Sequence, residues 1–155
     1  IAVAKLYSPT RIVISDLQQY EELINHNIDL NGVSSQCTAQ VLDWCDLAPY
    51  HASAVATYGK SQFDIILALE CVYREDLYDA LLQTLLECSH EKTVIFLGLT
   101  RLFAKSVFFS FLSQKGFEYK KIPHSAMPQE WLRTDSSAAD TAIFICWRTG
   151  REIEE

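Results

Sequence analysis

The chain has 155 residues, 49% hydrophobic and 21% charged, with five glycines and four prolines, the make-up of one globular domain with a sizeable core. Thirteen basic against twenty acidic residues leave a net charge of −7, and Lys120–Lys121 is the only basic cluster, which argues against a nucleic-acid partner. No apolar run nears the roughly 20 residues of a membrane span, so no membrane role is expected.

The opening residues, IAVAKLYSP, have neither the basic start nor the cleavage site of a signal peptide and read as the tail of a helix. Residues 11–15, RIVIS, are short and β-branched and end at Asp16, so they predict a strand. Leu17, Tyr20, Leu23, Ile24, Ile28 and Leu30 then recur near helical spacing until Asn31-Gly32. A second strand is expected over 38–44, TAQVLDW, with Ala39, Val41 and Asp43 on one side. Residues 45–62, broken by Pro49 and Gly59, read as a loop that could hold a short helix around HASAVAT.

FDIILAL (63–69) is an apolar run but for Asp64, the pattern of a strand covered on both faces. A helix follows over about 74–88, with Leu77, Leu81, Leu82, Leu85 and Leu86 on its inner side and acids in its early turns. KTVIFLGLT (92–100) predicts a further strand, and 103–115 a helix buried through Phe103, Val107, Phe108, Phe111 and Leu112 and stopped by Gly116. FEYKKI (117–122) and TAIFICWR (141–148) have no good helical pattern between them, so they are expected to be antiparallel neighbours joined by a long loop through Pro123, Pro128 and Trp131. Only the end, TGREIEE, reads as a frayed tail. Alternating β and α segments indicate an α/β fold: a mostly parallel sheet with helices on both faces and a C-terminal antiparallel strand pair.

In open α/β sheets ligands bind outside the carboxyl ends of the strands, which singles out Asp16, Asp43-Trp44, Glu70 to Tyr73 and Thr100-Arg101. Asp16 could accept hydrogen bonds from ribose hydroxyls or cap the next helix, with Gln19 three places on. Trp44 could lie on a flat base or be a core residue under the 45–62 loop. Glu70 could hold a cationic substrate group or cap the helix after it, and Tyr73 could line the same pocket or pack on that helix.

The five cysteines (Cys37, Cys45, Cys71, Cys88, Cys146) make no CxxC pair and no metal-ligand spacing with the four histidines, so no metal is expected. Their odd number and apolar settings suggest reduced, mostly buried thiols in an intracellular protein, expected in the cytoplasm with the nucleus as an additional location. Cys71 lies in the candidate pocket, but a structural thiol is the better reading than a nucleophile.

Taken in order, RIVISDL, NIDLN, VLDW, FDIILALECVY with LYDALLQTL, and TAIFICWR resemble the seven-β-strand S-adenosylmethionine-dependent methyltransferases. Within them, the strongest likeness is to the protein lysine methyltransferases related to methyltransferase-like protein 21. The resemblance spans about residues 1–148 and implies that they are the C-terminal part of one class I methyltransferase domain, with 149–155 as a tail. It implies a Rossmann-like sheet in the order 3-2-1-4-5-7-6 with strand 7 antiparallel, the first strand lying ahead of Ile1. It also implies S-adenosylmethionine as cofactor, with Asp16 at the ribose, Trp44 and the neighbouring Asp43 at the adenine, and Ala68 where a strand passes the cofactor. Glu70 and Tyr73 fall on the ends of the family's Asp-x-x-Tyr motif, implicated in placing a substrate lysine.

Two departures stand out. Glutamate replaces aspartate at 70, moving the charge one methylene outward, and a shift of roughly 1 Å can cost on the order of 100-fold in rate. The glycine-rich loop that cradles the cofactor's methionine part has no counterpart here, Gly32 being the first glycine. The implied function is methyl transfer to a lysine of a protein substrate. An inactive methyltransferase-like interaction module and a methyltransferase for small-molecule amines are the alternatives, and the oligomeric state is not legible.

Overall fold

A computed structural model describes residues 1–7, 11–100, 106–126 and 141–150. The chain divides into two units, Ile1–Ser61 and Gln62–Glu155, each with its own sheet.

In the first unit, helix α1 (Ala2–Tyr7) is followed by strand β1 (Ile12–Asp16), a 3-10 turn (Gln18–Tyr20), helix α2 (Glu21–Leu30), strand β2 (Cys37–Val41) and helix α3 (Ala48–Tyr58). β1 and β2 pair in parallel, from Ile12 opposite Cys37 to Asp16 opposite Val41. Ala4, Ile28, Val33 and Cys37 form the core on one side, with Ile12, Ile14, Ile24 and Ala39 packed around them. Gln40, on the other side of β2, is buried and donates from Nε2 to Ser53 Oγ of α3 at 2.9 Å. Gly32 has φ 64°, the left-handed conformation that ends α2.

Residues 45–62 hold more helix than expected: the short helix foreseen around HASAVAT is part of α3, which runs from Ala48 to Tyr58. Pro49 and Gly59 are its punctuation. Pro49 stands in the first turn, where its missing N–H costs nothing, and Gly59 closes the helix at φ 72° with its N–H on the Val55 carbonyl at 2.9 Å. β2 also stops at Val41, short of the expected 44, because a turn begins at Asp43.

The second unit comprises β3 (Phe63–Leu69), a 3-10 turn (Glu75–Leu77), α4 (Tyr78–Glu87), β4 (Ser89–Thr100), α5 (Ser106–Gln114), β5 (Phe117–Lys121) and β6 (Thr141–Arg148). The strand order is β3-β4-β6-β5, with β3 and β4 parallel and β6 antiparallel to both of its neighbours, as expected for the last two strands. Residues 101–105 and 127–140, which hold Arg101, Phe103, Pro128 and Trp131, and the tail 151–155 lie outside the described residues. The two sheets reproduce the 3-2 and 4-5-7-6 portions of the implied order.

Ala68, Ile95, Leu97, Leu99, Ala142 and Cys146 line the buried face of this sheet, and Tyr78, Leu81, Leu82, Leu85, Phe108 and Leu112 are the buried apolar residues of α4 and α5. Phe109 of α5 stacks 4.8 Å from both Tyr119 and Phe144, and Tyr78 meets Phe108 edge-on at 5.1 Å. Both helices therefore serve one face. The expectation of cover on both faces of β3 is corrected: Ile65, Leu67 and Leu69 are 61%, 50% and 58% exposed. β3 pairs with β4 alone, so it is an edge strand among those described.

Arg148 ties the far end of β6 to the end of α4. Its guanidinium donates from Nε to Ser89 Oγ at 3.1 Å, and from Nη2 to the Ser89 carbonyl at 2.8 Å and to the Leu86 carbonyl. Carbonyls left open at a helix C-terminus are favourable partners for a cation. No described helix is long and apolar enough to cross a membrane.

Candidate active site

The predicted site residues fall into two strand-end sets, one in each unit. Asp16 ends β1, and Asp43 and Trp44 follow β2, so all three sit at the carboxyl edge of the parallel β1-β2 pair. Leu42 N–H donates to the Asp16 carbonyl at 2.8 Å, carrying the pairing one residue past β2. Asp16 is exposed, and its Oδ1 accepts the N–H of Leu17 at 2.8 Å. The helix-capping alternative is not realised. Leu17 and Tyr20 are the N-caps of the 3-10 turn and of α2, and neither start has a side-chain cap. A carboxylate in this position, with one oxygen in a local bond, retains lone pairs for a vicinal diol.

Asp43 shapes the neighbouring turn. Its Oδ1 accepts the Cys45 N–H at 2.8 Å and its carbonyl the Asp46 N–H at 3.1 Å, while Asp46 Oδ1 accepts from Ala48 N–H at 3.3 Å. Such side-chain bonds two residues onward are the Asx turn that aspartate favours. Trp44, at its apex, is half-buried. It is not the core residue that was the alternative, and the segment once expected to cover it is α3.

The second set follows β3. Ala68 is buried and pairs opposite Leu97. Glu70 is exposed, so the cost of a buried carboxylate does not arise, and it stands at φ 56°, the one positive φ among the described non-glycine residues. Its N–H donates to the Gly98 carbonyl at 2.9 Å. A side chain in the left-handed region costs about 1–2 kcal/mol and marks a functional hypothesis. Gly98 also leaves room for Leu69, whose Cδ2 would stand 2.7 Å from a Cβ placed there.

Neither helix-start alternative holds for Glu70 or Tyr73. Arg74 and Leu77 are the N-caps of the turn and of α4, and Tyr73 is 55% exposed rather than packed on that helix. Arg74 instead pairs with Asp76 at 2.5 Å, and this hydrogen bond holds the Asp76 carboxyl below its ordinary value. Cys71 Sγ donates to the Leu69 carbonyl at 3.4 Å. Sequence reasoning missed the backbone state of Glu70, for which no local signal exists: glutamate has no preference for φ above zero.

A sequence profile of the family described as lysine methyltransferase matches residues 1–115. The chain belongs to this family. Over 86 residues it is 29% identical to protein-lysine N-methyltransferase EFM6 of Saccharomyces cerevisiae, covering 52% of this chain and 33% of that protein. It thus spans about a third of the curated relative it matches. Among solved structures, the TehB-like SAM-dependent methyltransferase of Corynebacterium glutamicum is 14% identical at a TM-score of 0.59, over 90% of this chain and 68% of that one. N-methyltransferase NodS of Bradyrhizobium japonicum, in complex with S-adenosyl-L-homocysteine, is 12% identical at 0.64, over 96% and 72%. The [4+2]-cyclase SpnF is also similar, 12% identical at 0.62, over 96% and 70%. These likenesses establish the methyltransferase-type α/β fold. A cyclase among them is a reminder that chemistry is argued from the site.

Proposed function

We propose that the protein transfers a methyl group from S-adenosylmethionine to a lysine side chain of a protein substrate. The observation that carries this reading is the Glu70-x-x-Tyr73 pair, exposed just past β3, in a chain of the lysine methyltransferase family.

The residues of the first unit suit the nucleoside half of the cofactor. Asp16 would accept from the two ribose hydroxyls, and the half-buried Trp44 would offer a ring face to the adenine, with the Asp43 turn holding that ring in place. In the second unit Ala68, with its small side chain, would leave clearance where the strand passes the cofactor. When bound, S-adenosylmethionine supplies an electrophilic methyl group on sulfur.

The remaining work is positioning. A lysine amine, with a reference pKa of about 10.4, has a lone pair only after losing its proton. The exposed Glu70 would hold the amine through its N–H donors while solvent takes that proton, and would then stabilise the cationic methylammonium product. The face of Tyr73 tolerates the same cation. Five free cysteines accord with a reducing compartment, and we place the protein in the cytoplasm.

The test is methyl incorporation from labelled cofactor into cellular proteins by the full-length protein, with methyl-lysine mapped by mass spectrometry. Glu70→Ala is expected to lose most incorporation while keeping S-adenosylhomocysteine binding. Transfer only to small amines, or none at all with cofactor bound, would overturn the reading in favour of the two alternatives.

A further inference from the structure

A recess of about 370 Å³ in the first unit, lined by none of Asp16, Asp43 and Trp44, has no part in the mechanism above. Four consecutive residues of β2, Thr38 to Val41, line it. Side chains of consecutive strand residues point to opposite faces, so a recess touching all four runs along the strand's edge and not over a face. Among the described residues that edge is open, because β2 pairs there with β1 alone.

The register shows which backbone groups it offers. Ile12 N–H donates to the Gln36 carbonyl and Leu42 N–H to the Asp16 carbonyl, so the even-numbered residues of β2 face β1. The N–H and C=O groups of Ala39 and Val41 therefore point to the open edge. The start of α2 and the length of α3 wall the edge on its two sides. Tyr58, on α3, lines the recess, and its hydroxyl is buried with no hydrogen-bond partner among the described residues. Glu21 is the only charged lining residue, already accepting from Gln18 Nε2 at 2.8 Å. The unit around it carries six acids against three bases.

We infer that this edge docks an extended, basic segment of the protein substrate, added to the β1-β2 sheet as a third strand. Main-chain bonds to Ala39 and Val41 would supply the binding, a cationic side chain would meet Glu21, and the orphaned Tyr58 hydroxyl would gain a partner. This mode reads charge and backbone more than sequence. The inference rests on the protein-substrate reading, but it is tested by binding without turnover.

The probe is a heptapeptide of alternating threonine and valine with a central lysine, added to the ¹⁵N-labelled chain. Slowed amide exchange at Ala39 and Val41 and shifts at Glu21 are expected. Ala39→Pro removes one outward donor yet spares the bonds to β1, and it is expected to weaken binding about tenfold or more with the circular dichroism unchanged. Glu21→Lys is expected to weaken binding several-fold, and a central glutamate in the peptide likewise, with both effects fading at high salt. If Ala39→Pro fails to fold, the exchange data and Glu21→Lys decide. Unchanged exchange at Ala39 and Val41, equal binding of both peptides, or sedimentation showing this edge occupied by a second copy would overturn the inference. Docking without methyl transfer would count against the proposed function alone, and methyl transfer without docking against this inference alone.

Discussion

Glu70 donates its N–H to the carbonyl of Gly98 at 2.9 Å while its own backbone stands at φ 56°. The β3-β4 pairing thus runs one residue past β3, and the chain then turns sharply at the acid assigned to the substrate amine. Glycine would relieve this conformation at the cost of a more flexible unfolded chain. Glu70→Gly is expected to leave stability within about 1 kcal/mol of the parent or raise it, and to abolish most methyl incorporation. Urea unfolding beside the incorporation assay checks both. A clear loss of stability would mean that the strain is not where we place it.

Asp16 and Trp44 are exposed and half-buried, so replacing them should affect ligand binding more than folding. Asp16→Ala is expected to weaken S-adenosylhomocysteine binding about 10- to 100-fold, the loss of charge-assisted hydrogen bonds worth roughly 1.5–3 kcal/mol. Trp44→Phe should retain more affinity than Trp44→Ala if the ring face is what matters. Calorimetry on the full-length protein measures both.

The Arg148 clasp is a structural counterpart to these ligand-facing residues. Arg148→Met is expected to cost about 2–3 kcal/mol, because the Leu86 and Ser89 carbonyls lose a charged donor. Arg148→Lys should recover part of it. Chemical denaturation with both variants separates lost charge from lost packing.

Burial pushes the Cys146 thiol up to about 12 from its ordinary 9.0. The unfolded chain then gives up this proton at lower pH than the folded one, so the folded state is favoured fully below about pH 9 and progressively less above it. Urea midpoints are expected to fall between about pH 9 and 12, less steeply in Cys146→Ala. Near neutral pH, iodoacetamide should label the exposed Cys45 and spare Cys146 until the protein unfolds.

Much of this architecture was legible from local signals. The β-branched run ahead of Asp16, the leucine spacing of α4 and the Gly116 stop report contacts within a few residues, and each became the expected element. Pro49 and Gly59 misled because both residues break helices in the middle and favour them at the ends. Only the residues between them distinguish the two cases. FDIILAL suggested cover on both faces because every residue in it is apolar, except Asp64. An apolar sequence states that a face can be buried, not which elements bury it.

By itself the sequence determined the order of strands and helices and the acids and aromatics placed just beyond the strands, since these follow from side-chain periodicity and turn chemistry along the chain. Only the tertiary structure decided the left-handed turn at Glu70, the Arg148 clasp on α4, the open edge of β2 and the exposed face of β3. Each depends on which distant segments pair or pack, and hydrogen bonds such as Glu70 to Gly98 join residues that no local pattern relates.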